Sequence, residues 1–229
     1  MTRAAASVVG LMLAAAIAGC HAKSDKPAVD KTEATLGDRI VVDPAMTGES
    51  TSAAPESGIT LSPASRSPES VEAARQSAAE LAGGLQPLPT PTRGSASALA
   101  QRVAATAQVS PAARAAKTDC AGKVQYAAAW GTRLPAELPL YPRAAVQEAA
   151  GTDADGCALR VVSFGTPVGA GDVIGFYRAM ALKAGYTAEY RLDGSDSVLG
   201  GDKAGRAYVV YARKQANGVT EVDLATSGH

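Results

Sequence analysis

Residues 172–192 read DVIGFYRAMALKAGYTAEYRL and contain the clearest helix of the chain, followed directly by a strand. Large apolar residues recur every three or four positions along Val173–Ala184, which predicts an amphipathic helix with Asp172 as its N-cap and Gly185 at its end. From Thr187 to Leu192 apolar and charged residues alternate instead, which predicts a strand. A helix that leads directly into a strand indicates that these residues belong to a mixed domain.

Further strands are predicted on both sides of this helix. They lie at Val146–Ala150, Cys157–Phe164, Ser197–Leu199, Ala207–Ala212 and Thr220–Ala225. Turn signals such as Asp193-Gly194 and Asn217-Gly218 join them by short connections, which favours antiparallel pairing. The predicted fold class is therefore α+β, an antiparallel sheet with one main amphipathic helix packed on one face. Because Glu221 and Asp223 alternate with apolar residues, we expect one sheet face to be apolar and the other charged.

Two segments precede these strands. Asp119–Trp130 is predicted to be a helix with Tyr126 stacked one turn from Trp130. Leu134–Pro142 contains three prolines, so it is expected to be extended and to lie over the core as a strap. A proline-rich recognition segment is the functional alternative for this strap.

The composition divides the chain of 229 residues into two parts. Its one Trp, two Phe and seven Tyr all lie between Tyr126 and Tyr211. The folded domain is therefore predicted at 118–229, and 20–117 is predicted to be a largely disordered tether rich in Ala, Ser and Pro. The 22 basic and 22 acidic residues balance, which argues against a nucleic-acid partner.

Three stretches of the predicted tether have local structural signals. Ser67–Gly84 and Ser97–Ala107 have helix-forming sequences, but each has so few large apolar residues that we expect no stable packing face. Arg39–Pro44 reads RIVVDP and resembles a short strand. This segment is either transiently extended or a strand that adds to a sheet edge of this domain or of a partner.

The amino terminus has the pattern of an export signal, with Arg3 followed by the apolar run Ala4–Ile17. Ile17-Ala18-Gly19-Cys20 resembles the lipobox of bacterial lipoproteins. The resemblance implies that residues 1–19 are a signal peptide and that Cys20 carries the lipid that anchors the protein to a membrane. The alternative is a plain signal peptide with an unrelated cysteine. His21 stands where an inner-membrane retention signal often has aspartate, so we expect the periplasmic face of the outer membrane, with the inner membrane and the cell surface as the alternatives.

Cys120 and Cys157 remain once Cys20 is lipidated. In an exported domain two such cysteines predict a disulfide. A redox-active pair is the alternative, but the two residues do not have Cys-x-x-Cys spacing.

Few residues have the pattern of a catalytic or ligand site. His21 and His229 lie near the two ends of the chain, so neither fits a nucleophilic triad or a metal centre, and no cofactor or metal is predicted. The glycines of 169–175 lack dinucleotide-binding spacing and indicate a loop before a helix. Asp153–Gly156 resembles only part of a calcium loop and predicts a tight turn.

Four carboxylates, Glu148, Glu189, Glu221 and Asp223, are candidates for a catalytic pair if the strands bring two of them together. The usual outcome for such residues is an exposed, solvated sheet face. The sequence alone does not place them relative to one another.

A resemblance covers about Thr118 to Thr226. Leu140–Ala144, Val173–Tyr177, Ala184–Tyr186 and Thr220–Leu224 resemble a C-terminal domain of small envelope lipoproteins from alphaproteobacteria such as sphingomonads. This resemblance implies an envelope location and a compact fold, and it assigns no activity to any residue. The sequence therefore predicts a noncatalytic domain that binds or scaffolds an envelope protein or a cell-wall partner. The alternative is a histidine-free envelope hydrolase that uses a carboxylate pair.

Overall fold

A computed structural model describes residues 58–228, in which eight strands form one sheet. The strands are β1 (Thr92–Arg93), β2 (Gln125–Tyr126), β3 (Ala145–Thr152), β4 (Leu159–Thr166), β5 (Glu189–Asp193), β6 (Asp196–Lys203), β7 (Arg206–Lys214) and β8 (Thr220–Ser227). Their order is β1-β5-β6-β7-β8-β4-β3-β2. Every neighbouring pair is antiparallel except β1 and β5, which are parallel. The α+β class and the mainly antiparallel sheet are confirmed.

Several helices accompany this sheet, so the prediction of one main helix is wrong. They are α1 (Pro68–Ala82), α2 (Ser97–Thr106), α3 (Pro111–Ala116) and α4 (Ala170–Lys183). The predicted helix is α4, which begins three residues earlier than expected, at Ala170 instead of Val173. Asp172 lies inside its first turn, where its Oδ2 accepts a hydrogen bond from the Gly169 backbone N–H at 3.2 Å. That bond satisfies one of the free donors at the start of the helix.

The main core lies between α4 and one face of the sheet. Val173, Phe176 and Tyr177 of α4 are fully buried there, with residues such as Phe164 and Val222 from the strands. Helix α1 packs on α4 through Ala74, Ala78 and Ala82, which are buried and follow one another at intervals of one helical turn.

The second face of the sheet is half apolar, which corrects the expectation of a charged face. Leu99 and Val103 of α2 are buried against this face in a cluster that includes Val198 and Val209. Charged side chains occupy the remainder, around Arg213 on β7. A second core therefore lies under α2.

These helices also correct the predicted domain boundary at Lys117. Residues 58–117 pack against the sheet and include the wholly buried Leu99, so they belong to the folded domain. The earlier part of the predicted tether, with Arg39–Pro44, lies outside the described residues, as do Cys20, His21 and His229. The Ser67–Gly84 and Ser97–Ala107 stretches are helical, and the prediction that they lack a packing face is wrong.

The predicted helix at Asp119–Trp130 is also wrong. Short 3-10 turns at Ala121–Lys123 and Ala128–Arg133 flank β2, and Tyr126 is exposed rather than stacked on Trp130. The physical reason is that β2 pairs with β3, which takes residues 125 and 126 out of any helix.

Cys120 and Cys157 form the predicted disulfide, which joins positions separated by 37 residues. Both cysteines are buried in the core under α2. The bond therefore ties the chain before β2 to the chain before β4.

The segment 134–142 is a strap over the main core, as predicted, with Leu138 and Tyr141 fully buried. Since these side chains point into the protein, the alternative of an exposed proline-rich recognition segment loses support.

Candidate functional site

The first half of β3 is a strand with an open side. Strand β2 pairs with β3 only at Ala150 and Gly151, and the backbone N–H of Ala127 adds one bond to the carbonyl of Ala149. The chain then turns away at Ala128, so within the described residues Ala145–Glu148 has a strand neighbour, β4, on one side only. Exposed strand edges of this kind can pair with another extended segment.

An apolar groove of about 470 Å³ runs beside this open strand. We call it the edge groove. It extends from Tyr126 and Ala128 past Leu140 to Val146 and Glu148. Tyr126 and Val146 are 70% and 44% exposed, which is unusual for large apolar side chains. Exposed apolar surface beside an unpaired strand is typical of a surface that binds peptides.

The wall of the edge groove is held in place by Trp130, in the turn Ala128–Arg133. The guanidinium groups of Arg133 and Arg160 lie 4.8 and 4.6 Å from the centre of a Trp130 ring. Asp153 forms ion pairs with both arginines, at 3.8 Å and 2.5 Å. The indole lies so close to Gly151 that a Cβ there would come within 2.7 Å of it. The wall is therefore formed in advance, which lowers the ordering cost of binding.

A second cavity, of about 410 Å³, adjoins the groove through Gln147 and Glu148, which line both. We call it the polar cavity. Ser163, Gln215 and Glu221 contribute side chains, and Gly58 and Ile59 also line it. Gly58 and Ile59, the first described residues, therefore lie next to the open half of β3.

The predicted carboxylate candidates do come together in part. Glu221 and Asp223 lie on the charged half of the second sheet face, and Nη2 of Arg213 bonds to both carboxylates. Gln215 donates to Glu221 at 2.5 Å, and Ser163 donates to Asp223 at 2.5 Å. Both carboxylates are therefore held as partners of one cation.

The arginine keeps its charge in this cluster. Burial acts to lower the pKa of Arg213, but the hydrogen bond that its guanidinium donates to Asp223, together with the charges of Asp223 and Glu221, outweighs burial and raises it. A hydrolase pair needs two carboxyl groups that are free to contact the substrate and a water molecule, whereas Arg213 binds both of these carboxylates. This geometry does not favour acid–base catalysis.

The other two candidates lie apart from this cluster. Glu189 on β5 forms an ion pair with Arg191 at 2.5 Å. Glu148 faces Ser163 across the β3–β4 ladder and lines both cavities, and no ion pair forms at it within residues 58–228. The structure therefore brings together Glu221 and Asp223 but not all four residues.

The predicted tight turn at Asp153–Gly156 is confirmed as a 3-10 turn at Ala154–Gly156. Asp155 binds Lys123 at 2.7 Å, and that ammonium group lowers the pKa of the carboxyl.

In the described part of the chain, no cluster of three or more His, Cys, Asp or Glu residues is arranged to hold a metal ion. Among the same residues no helix has the length and apolar character needed to cross a bilayer.

Sequence reasoning missed the edge groove. The exposed positions Tyr126 and Val146 are ordinary apolar residues in the sequence, and the point where β2 leaves β3 has no local signal.

Comparison of the chain with protein family models, with curated proteins and with solved structures found no match. The geometry of the described residues is therefore the basis for assigning a function.

Proposed function

We propose that this chain is a bacterial envelope lipoprotein whose α+β domain binds an extended peptide segment of another envelope protein in the edge groove. The observation that carries the proposal is the open side of Ala145–Glu148 next to the exposed side chains of Tyr126 and Val146. The role is noncatalytic. The partner peptide adds a strand to the sheet, and its apolar side chains fill the groove.

The expected strength of such binding is moderate. A backbone hydrogen bond contributes a net of about 1 kcal/mol, and a four-residue edge offers only a few of them. Burial of groove residues such as Val146 adds about 25 cal/mol for each Å² of apolar surface. A binding free energy of this size is typical of a partner that binds and dissociates reversibly.

The anchor in this proposal is a lipid on Cys20, which holds the protein at the periplasmic face of the outer membrane. The lipobox-like residues before Cys20 support it. From Cys20 to Gly58 a fully extended chain spans up to about 130 Å, so the domain can reach partners away from the membrane surface. Mass spectrometry of the mature N-terminus tests the anchor, since we expect a lipidated Cys20 there. Normal membrane retention of Cys20→Ala would contradict it.

The alternative of a carboxylate hydrolase is less well supported, because Arg213 binds both carboxylates of the closest pair. Variants in a deletion strain separate the two functions. A binding role predicts that Val146→Asp loses function while Glu221→Gln and Asp223→Asn retain it. A hydrolase predicts the reverse.

The matched control for Val146→Asp is Leu182→Asp on α4, because Leu182 is 45% exposed and lies outside the groove. We expect this control to retain function at normal abundance. Equal loss of function in the two aspartate variants would refute a specific role of the groove.

A further inference from the structure

We propose that the peptide segment bound in the edge groove carries a lysine or an arginine whose cation lies in the polar cavity against Glu148. This inference rests on the proposed function and deepens it, because it specifies the chemistry of the partner segment. Three observations carry it. They are the position of Glu148 where the two cavities meet, the surplus of hydrogen-bond acceptors in the polar cavity, and the negative charge of the sheet face beside it.

A peptide strand on the open edge has access to both cavities. The register of β3 shifts at a bulge, so Val146 lies opposite Phe164 of the main core. Glu148 lies opposite Ser163, whose hydroxyl group is on the charged half of the second face. The side chains of a paired peptide also alternate between the two faces. An apolar side chain in the edge groove therefore has a neighbour that points toward the polar cavity, where a volume of about 410 Å³ has room for it.

The polar cavity is lined mostly by acceptors. Gln215 donates its Nε2 to Glu221, which fixes the orientation of the amide and leaves the buried Oε1 without a partner among the described residues. Ser163 donates its hydroxyl hydrogen to a carboxylate of the same face, so only its lone pairs remain. Glu148 adds two carboxylate oxygens. A group with several N–H donors, an ammonium or a guanidinium, complements such a lining.

The sheet face beside the cavity has an excess of negative charge. Arg213 forms ion pairs with Asp196 at 3.9 Å, with Glu221 at 3.2 Å and with Asp223. Glu148 is a fourth carboxylate on this face, and it forms no ion pair within the described part of the chain. Among the same residues no Lys or Arg lines the polar cavity. The field there attracts cations, and Glu148 is the carboxylate left to pair with one.

A peptide selection tests the inference on the full-length chain in detergent. The probe is a phage-displayed library of short random peptides, and the bound phage are sequenced. We expect the selected peptides to combine an apolar residue with an adjacent lysine or arginine. Selection against Glu148→Gln should keep the apolar preference and lose the basic one, because this change removes only a charge.

The matched control is Glu72→Gln on α1. The Glu72 side chain is 74% exposed and lies outside both cavities. Selection against this control should reproduce the basic preference of the unmodified chain. Glu221→Gln should also keep that preference, because Glu221 already pairs with Arg213.

Charge reversal shows whether the two charges meet. A selected peptide should bind Glu148→Lys about tenfold more weakly than the unmodified chain, since like charges then face each other. Glutamate in place of the basic residue of the peptide should restore binding to this variant. A structural role of Glu148 would not produce such a rescue. The difference should become smaller at high salt, because salt screens a partly exposed pair.

The outcomes separate this inference from the proposed function. Selected peptides without a basic residue, a basic preference that persists on Glu148→Gln, or failure of the charge-reversal rescue would overturn the inference and leave the peptide site intact. Equal selection of the same peptides by Val146→Asp, or a library that yields no specific peptide, would overturn the proposed function together with the inference.

Discussion

Leu99 of α2 lies directly on Gly200 of β6, so closely that a Cβ atom added to Gly200 would come within 3.1 Å of the Leu99 side chain. The helix and the strand are far apart in the sequence. Their contact joins α2 to the sheet and closes the second core. The stability of the domain should therefore depend on residues before Lys117.

Leu99→Ala tests this dependence. Leu99 is 1% exposed, and removing such a side chain leaves a cavity that typically costs about 3 kcal/mol of unfolding free energy. Leu81→Ala is the control, because Leu81 is 46% exposed on α1 and surface changes usually alter stability by less than about 0.5 kcal/mol. Chemical denaturation measures both. Equal, small effects would show that α2 is not part of the cooperative unit.

The Cys120–Cys157 disulfide should stabilise the domain by roughly 3 to 4 kcal/mol, as estimated from the entropy of the loop it closes. The double variant Cys120→Ala, Cys157→Ala should therefore unfold at a lower temperature than the unmodified protein. Reduction of the unmodified protein should produce a similar shift. An unchanged thermal midpoint after complete reduction would contradict the prediction.

Two buried tyrosines should respond differently to loss of the hydroxyl group. The Tyr177 hydroxyl donates to the carbonyl of Pro139 at 2.9 Å, whereas that of Tyr141 has no hydrogen-bond partner among residues 58–228. Tyr177→Phe should cost about 1 kcal/mol, which is typical of one hydrogen bond. Tyr141→Phe should be nearly neutral. Denaturation of the two variants measures the difference, and the opposite order would contradict it.

The same tyrosines predict how stability changes in alkali. Burial raises the pKa of Tyr141 to about 12, with a further contribution from the Asp172 charge, and burial also raises the pKa of Tyr177. An unfolded tyrosine titrates near pH 10, so above this pH the unfolded chain loses protons that the folded protein keeps. Titration of these two tyrosines should therefore leave the unfolding free energy unchanged below about pH 10. Between about pH 10 and pH 12 it should lower the unfolding free energy.

Tyr141→Phe should make that alkaline decrease shallower, because the variant has one fewer phenol that titrates only on unfolding. Denaturation curves between pH 9 and 12 measure the slope. Identical slopes for the variant and the unmodified protein would show that Tyr141 does not contribute to the alkaline instability.

Much of the fold from Ala145 onward could be predicted, because its strands and α4 have strong local patterns. Alternation in Thr220–Leu224 identified the buried side of β8, and helical spacing identified α4. The disulfide followed from two cysteines in a domain expected to be exported. These signals are local, so they require no knowledge of the neighbouring elements.

The helices before Lys117 could not be predicted to pack, because their packing depends on partners that are distant in the sequence. Ala74 and Ala78 form a face only against α4, where small side chains allow close approach. Leu99 is sufficient for α2 because Gly200 leaves space beneath it. The edge groove depends in the same way on where β2 leaves β3, which is a tertiary property.

Photo-crosslinking in living cells tests the central claim, that the open edge of β3 binds a peptide of another envelope protein. A photoreactive residue at Val146 is compared with one at Leu182, which has nearly the same exposure. We predict crosslinks at Val146 to an extended segment of a distinct envelope protein, identified by peptide sequencing, and few at Leu182. Equal crosslinking at the two positions, or none at Val146 in a correctly anchored protein, would contradict the account.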